Sequence, residues 1–289
     1  MKLGLIPTYR SSVVASPDYA IGVATMAEAL GVESIWTVEH VVVPAEYSSR
    51  YPYAPDGRMP LTGEHAIPDP LDWLAFVAGV TSTLRLGTAM LILPEHHPVE
   101  LAKRLATIDT LSHGRLLLGV GVGWMREEAE ALGTRFEDRG ARTDEYIAVM
   151  RTLWSEDVAS FSGDHVAFHR VRCSPKPVQA GGVPILIGGH SPAAARRAGR
   201  LGDGFFPLGV PIDQLSGLLD TMAAAAREAG RDPTAIEVTT HAPRDAETAK
   251  RLADLGVTRF IVSAAADGDL KGVRKIIHEA TDNLRAWSL

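Results

Sequence analysis

The sequence predicts an α/β fold, a (β/α)8 TIM barrel carrying a small β-hairpin insertion. Eight short apolar runs each lead into a stretch with helix signals, the rhythm of a barrel. Several runs are apolar at consecutive positions, as in Leu116-Leu117-Leu118 and Ile185-Leu186-Ile187, which suits parallel strands buried on both faces. The 289 residues show no break in composition, so one domain over 1–289 is expected. A doubly wound sheet is the competing architecture, and the count of eight favours the barrel.

The elements follow in order. Residues 2–7 form the first strand. A helix follows over 17–31, with Pro17 in its first turn, where a missing N–H costs nothing, and Gly31 at its end. Residues 34–38 are the second strand. Residues 39–69, rich in Pro, Gly and Tyr, form an irregular loop of a length usually tied to function or disorder. Then come a helix over 70–83, a strand over 84–91, a helix over 98–112 and a strand over 116–120. Two helical stretches, 125–132 and 142–155, precede the hairpin at 158–168, which alternates around the turn Ser162-Gly163-Asp164. The rhythm resumes with strands at 184–187, 204–207, 236–240 and 259–263. Each is followed by a helix, over 192–200, 212–229, 246–254 and 271–284.

Composition narrows the function. The net charge is −6 and the strongest basic feature is the pair Arg196-Arg197, so a nucleic-acid partner is not expected. No apolar run approaches the roughly 18 residues of a membrane span, and the N-terminus leads directly into a strand rather than a signal peptide. Cys173 is the single cysteine, so no internal disulfide forms, which fits a cytoplasmic protein.

In a barrel, the chemistry sits where strands end and the following loops begin. His40, with Glu39 beside it, follows the second strand. An imidazole there can exchange a proton near neutral pH, or it can be a structural histidine bonded to backbone. Gly188-Gly189-His190-Ser191 runs from a strand into a helix N-terminus, where free N–H groups and the helix dipole favour a phosphate. Ser191 can cap that helix or bond the phosphate. Gly119, Gly121 and Gly123 alternate around Val122 without completing a dinucleotide fingerprint, because Trp124 stands where its last glycine belongs. They read as backbone that lets a flat ring approach, or as a strand end with unusual dihedrals. His96-His97 and Glu64-His65 lack chelating spacing, so a metal is not expected and His96 and His97 read as solvated. Cys173 lies away from the strand ends and reads as a bystander.

These pieces, in this order, carry a resemblance that spans nearly the whole chain. They are Ser34-Ile35-Trp36-Thr37-Val38-Glu39-His40, Leu84-Arg85-Leu86-Gly87-Thr88-Ala89-Met90, Pro94-Glu95-His96-His97-Pro98, residues 112–124, residues 184–191 and residues 200–205. The sequence resembles the luciferase-like flavin and deazaflavin oxidoreductases, in particular the branch using the deazaflavin coenzyme F420. The resemblance implies a homodimer and a cofactor ring near Thr88, Ala89 and Met90, with a non-prolyl cis peptide at Ala89–Met90 bulging toward its central ring. It also implies cofactor contacts from Glu39, His40, Gly121, Val122 and Gly123, with the cofactor phosphate on Gly188, Gly189, His190 and Ser191. His40 matches the active-site histidine of deazaflavin-dependent sugar-phosphate dehydrogenases. Those relatives carry an acid where Trp124 stands here, which puts a sugar-phosphate substrate in doubt.

Three functions follow. The first is hydride transfer between coenzyme F420 and a small organic substrate, with His40 as the catalytic residue. The second is a reduced-FMN monooxygenase supplied by a partner reductase, with the loop at 39–69 and Trp73 as a lid that keeps the pocket dry. The third is a barrel that binds flavin without turnover.

Overall fold

A computed structural model describes residues 1–264 and 268–289. Its elements are β1 (Lys2–Ile6), α1 (Pro17–Ala29), β2 (Ser34–Thr37), α2 (Pro70–Ala78), β3 (Arg85–Thr88), β4 (Leu91–Ile92), α3 (Pro98–Leu111) and β5 (Leu116–Gly121). They continue with α4 (Arg126–Ala131), α5 (Arg139–Ser155), β6 (Ala159–Ser162), β7 (Ala167–Val171), β8 (Ile185–Gly188) and α6 (Pro192–Leu201). The chain ends with β9 (Gly204–Phe206), α7 (Ile212–Glu228), β10 (Glu237–His241), α8 (Ala246–Asp254), β11 (Val257–Ser263) and α9 (Leu270–Ala286).

The main sheet runs β3-β2-β1-β11-β10-β9-β8-β5-β4, and β3 also pairs with β5, which closes it. Every pairing in it is parallel. Because β3 and β4 are two pieces of one strand, the barrel has eight strand positions, as the sequence predicts. Helices start where capping chemistry allows. Asp69 accepts from the N–H groups of Leu71 and Asp72 ahead of α2, Ser191 from Ala194 in α6, and Asp245 from Thr248 in α8. Pro17, Pro70, Pro98 and Pro192 take the first helical positions of their helices.

The apolar core has two parts. The larger lies between sheet and helices; the smaller fills the barrel and consists of Trp36, Leu117, Leu186, Phe206 and Ile261. Trp36 meets Phe206 edge-on at 5.5 Å and donates from its indole N–H to Ser34 Oγ at 2.8 Å. Gly4 and Gly87 leave it room, since a Cβ on either would overlap the indole. Beneath lies a fully buried guanidinium, Arg259, 5.4 Å from the Trp36 ring, bonded to both oxygens of Glu33 and to Glu237.

The structure corrects several boundaries. The strand expected over 84–91 is interrupted by a cis Ala89–Met90 peptide, leaving β3 and β4. The helix expected to 83 ends at Ala78, where Thr81 Oγ1 donates back to Val77 O. α5 starts three residues before the expected 142, through Gly140, because Arg197 packs across that glycine and donates to its carbonyl. The hairpin lies later than expected, with its second strand reaching Val171. Trp73 belongs to no lid: it is buried in α2 with its indole N–H donating to Val14 O at 2.9 Å.

Burial opposes the charged form of Glu33, but Arg259's hydrogen bonds and charge win and hold its carboxyl below the ordinary 4.5. Burial also opposes charge on Glu237, where Lys2 and Arg259 together hold the carboxyl low. A lowered folded-state pKa stabilises above the ordinary value and stops doing so as the pH falls through the lowered one. We therefore predict that Arg259→Met lowers unfolding free energy at pH 7 by about 3 kcal/mol, the low end for a broken buried pair because Glu237 stays partly in water. The variant's stability, followed by urea unfolding, should also fall less than the native protein's as the pH drops below 4.5.

Candidate active site

Register brings the predicted residues to one end of the barrel. Thr37 lies opposite Thr88, Ile92 opposite Gly121, and Val120 opposite Ile187. Beyond those pairs come Glu39 and His40, Ala89 and Met90, Val122 and Gly123, and the turn of residues 188–191.

His40 is held by a carboxylate. Its Nδ1 lies 2.6 Å from Glu128 Oε2, while Glu128 Oε1 accepts from the N–H groups of Val41 at 2.7 Å and Val42 at 3.2 Å. Glu128 is fully buried in the first turn of α4. An ionised carboxylate only accepts, so Nδ1 carries the hydrogen and Nε2 is left for a bound molecule. Nothing in the sequence marks Glu128 over Glu127, because only the docking of α4 decides which glutamate faces inward.

Glu39 is also buried, and both its oxygens are engaged. Oε1 pairs with His96 Nε2 at 2.9 Å, and Oε2 accepts from the Ile92 N–H. Glu39 thus ties the exit of β2 to β4. His96 is therefore not the solvated residue the sequence suggests; its side chain is 15% exposed and paired, whereas His97 is exposed.

The alternating glycines make space for protein as well as ligand. A Cβ on Gly188 would lie 2.5 Å from Met90 Cγ, one on Gly121 would lie 3.3 Å from Met90 Cβ, and one on Gly119 would overlap Thr88 O. The bulge at Ala89–Met90 thus pushes Met90 between β5 and β8. Thr88 Oγ1 donates to Gly119 O at 2.7 Å and fastens the bulge to β5. Gly123 has a φ of +80° and Gly189 one of +113°, both conformations that glycine adopts without penalty. Ser191 caps α6 through Ala194 N–H at 3.2 Å, and His190 and Ser191 are exposed, so the start of this ten-residue helix is open to an anion.

Over this mouth lies the loop of residues 38–69. Trp124 is its anchor: its ring meets those of His40 at 5.8 Å, Tyr47 at 5.8 Å and Tyr51 at 5.1 Å. Tyr53 reaches across to His190 at 4.9 Å. The start of α4 pins the loop from the side, with Glu127 accepting from the N–H groups of Ser48 and Ser49 and Arg126 N–H donating to Ser49 Oγ. Arg126's own guanidinium faces away, toward Glu137.

Glu95, in the 3₁₀ turn after β4, completes the site. Its Oε2 is buried and has no hydrogen-bond partner among the described residues. Burial first, then the nearby Glu128 and Glu39 carboxylates, push its pKa up to about 9. The exposed turn at the start of α6, with the Glu95 carboxyl beside the glycine-rich strand end, fits a phosphate-bearing ring cofactor.

The family model for luciferase-like monooxygenases matches residues 1–286. The chain belongs to that family. A protein of Mycobacterium tuberculosis is 34% identical over 245 residues, covering 84% of this chain and 84% of that relative. An F420-dependent glucose-6-phosphate dehydrogenase of Nocardia farcinica is 36% identical over 182 residues, covering 61% of this chain and 53% of that enzyme. Among solved structures, a monooxygenase from Streptomyces bottropensis superposes with a TM-score of 0.67 at 25% identity, covering 99% of this chain and 89% of its own. An F420-dependent secondary alcohol dehydrogenase gives 0.75 at 18% identity, over 96% of this chain and 98% of its own, which supports the fold alone. Family membership also makes the chain a relative of oxidoreductases that use a flavin or a deazaflavin.

Removing the Glu128 carboxylate leaves the Val41 and Val42 amides and His40 without their acceptor. We predict that Glu128→Ala costs about 2 kcal/mol or more of stability. Amide hydrogen exchange at Val41 and Val42 should accelerate by an order of magnitude or more; unchanged exchange there would contradict the pinning described.

Proposed function

We propose that this protein is a coenzyme F420-dependent oxidoreductase that moves a hydride between the deazaflavin and a small organic substrate. The observation that carries the reading is the His40–Glu128 pair at the mouth of the barrel. The relatives support the choice of cofactor: F420-dependent glucose-6-phosphate dehydrogenases of Nocardia farcinica and Amycolatopsis mediterranei are 36% and 31% identical to this chain where they match.

The deazaflavin, when bound, supplies the carbon that takes or gives the hydride. The backbone of Gly188, Gly189, His190 and Ser191 would hold its phosphate, and Thr88, Ala89 and Met90 would back its ring. The chain's own chemistry is proton handling. When a hydride leaves a carbinol carbon, the hydroxyl proton needs a base, and His40 Nε2 takes it. The Glu128 carboxylate then faces an imidazolium and stabilises it, as an orienting carboxylate does in other base pairs. In the reverse direction the same nitrogen returns the proton to the oxygen. Trp124 and Tyr51 keep water from the reacting atoms and suit a substrate with an apolar body.

A reduced-FMN monooxygenase is the second reading, favoured by the likeness to the Streptomyces bottropensis monooxygenase. Titrating the purified protein with coenzyme F420 and with FMN, followed by Trp fluorescence and cofactor absorbance, separates the two. Tighter binding of the deazaflavin is the expected outcome. Preference for FMN moves the assignment to oxygen chemistry, and binding of neither overturns both readings. With a substrate found by anaerobic screening, His40→Ala should lower kcat roughly 10²- to 10⁴-fold. Cofactor affinity should change only a few-fold. Unaltered turnover would remove His40 from the mechanism and favour a barrel that binds its cofactor without using this pair.

A further inference from the structure

The proton handling assigned to His40 leaves Glu95 without a role. Glu127 also has a buried oxygen without a partner among the described residues, but its Oε1 accepts from Ser48 and Ser49 and is committed to the loop. Three carboxyls converge in the mouth. Glu128 is satisfied by His40 and two backbone amides, and Glu39 by His96 and the Ile92 amide. Glu95 differs, because one of its oxygens is sealed from solvent and bonded to nothing among the described residues. Its other oxygen lies 3.7 Å from where a Cβ on Gly123 would stand, at the glycine-rich exit of β5.

The surroundings decide which form of Glu95 is stable. From the β2 exit it faces Glu39, and from α4 it faces Glu128, both negative. His96 and His40 lie behind those two carboxylates and are taken up by them. On the α5 side, the Arg139 guanidinium is directed at the Gly123 and Phe136 carbonyls. An acid desolvated among like charges keeps its proton. A buried carboxylic acid kept neutral is a strong hydrogen-bond donor, a device enzymes use to bind electron-rich oxygens.

We propose that Glu95 is a protonated acid of the active site: its sealed Oε2 is the uncharged carbonyl oxygen, and its other oxygen, beside Gly123, carries the proton and donates a hydrogen bond to an electron-rich oxygen or nitrogen of the molecule bound in the mouth. The inference rests on the reading that a ring cofactor occupies this site. The acceptor is either a polar atom of the ring or a carbonyl oxygen of the substrate, and the two sources separate experimentally.

The test is an infrared difference spectrum of the native protein minus Glu95→Gln, recorded with and without coenzyme F420, with Trp fluorescence reporting binding in the same samples. A protonated-carboxyl stretch at pH 7 that vanishes above the pKa of about 9 is the expected result. A shift of that band on adding coenzyme F420 assigns the acceptor to the ring. A shift only when cyclohexanone is added to the loaded protein assigns it to a substrate carbonyl. Loss of the donor in Glu95→Ala should weaken the assigned ligand roughly tenfold, and Glu95→Gln, which keeps an N–H donor, should restore most of it. Equal thermal stability of the two variants would show that folding is not the cause. Absence of the band at pH 7 overturns the proposal. A band that moves with neither addition, while fluorescence shows the cofactor bound, overturns the donor role alone. No change in fluorescence with coenzyme F420 or FMN overturns the reading of the site and the donor role with it.

Discussion

A closed barrel has to fill its own interior, because a void there would forfeit packing on every strand at once. Here Trp36, with Phe206, Leu117, Leu186 and Ile261, does that filling. Trp36 stands edge-on to Phe206, caps its own N–H with Ser34, and occupies space that Gly4 and Gly87 leave open. Below it the Arg259 guanidinium closes the bottom with Glu33 and Glu237; above it Met90 reaches over β5 and β8. Everything functional rests on this floor. The residues after Trp36 leave the strand with little freedom, so Glu39 and His40 emerge where neighbouring strands can meet them.

The mouth then solves an electrostatic problem. Three carboxyls in a desolvated space cannot all remain unpaired anions. Two are satisfied by donors: Glu39 by an amide and His96, Glu128 by two amides and His40. The third keeps its proton, with its pKa pushed up to about 9. Groups of one chemical type are thereby set to different tasks by their surroundings alone, an arrangement characteristic of active sites.

The periodicity of the sequence made the barrel legible, since parallel strands buried on both faces and capped helices leave local signals. Boundaries failed where tertiary contacts outweighed local ones, as at Gly140, whose helical conformation is covered by Arg197. The positions of His40 and of the turn at 188–191 were readable because strand ends are marked by the change of pattern. Their partners were not. Glu128 belongs to an ordinary acidic first turn, and its inward orientation depends on the docking of a helix some 88 residues away in sequence. His96 read as solvated because no local feature announces that Glu39 reaches it. Trp73 read as part of a lid because aromatic residues near a loop look alike until the core claims one of them.

One feature of α4 bears on how such a protein can change. Glu127 and Glu128, adjacent in sequence, grip different parts of the same long segment: Glu127 takes Ser48 and Ser49, and Glu128 takes Val41 and Val42 together with His40. The segment leaves the barrel at β2 and returns at the Asp69 cap of α2, so both its ends are fixed by the scaffold. Between those fixtures the aromatic residues facing the mouth can be exchanged, lengthened or shortened while the histidine keeps its geometry. The molecule is therefore organised as a chassis with a replaceable cassette, in which selectivity can drift over generations without disturbing the reacting centre.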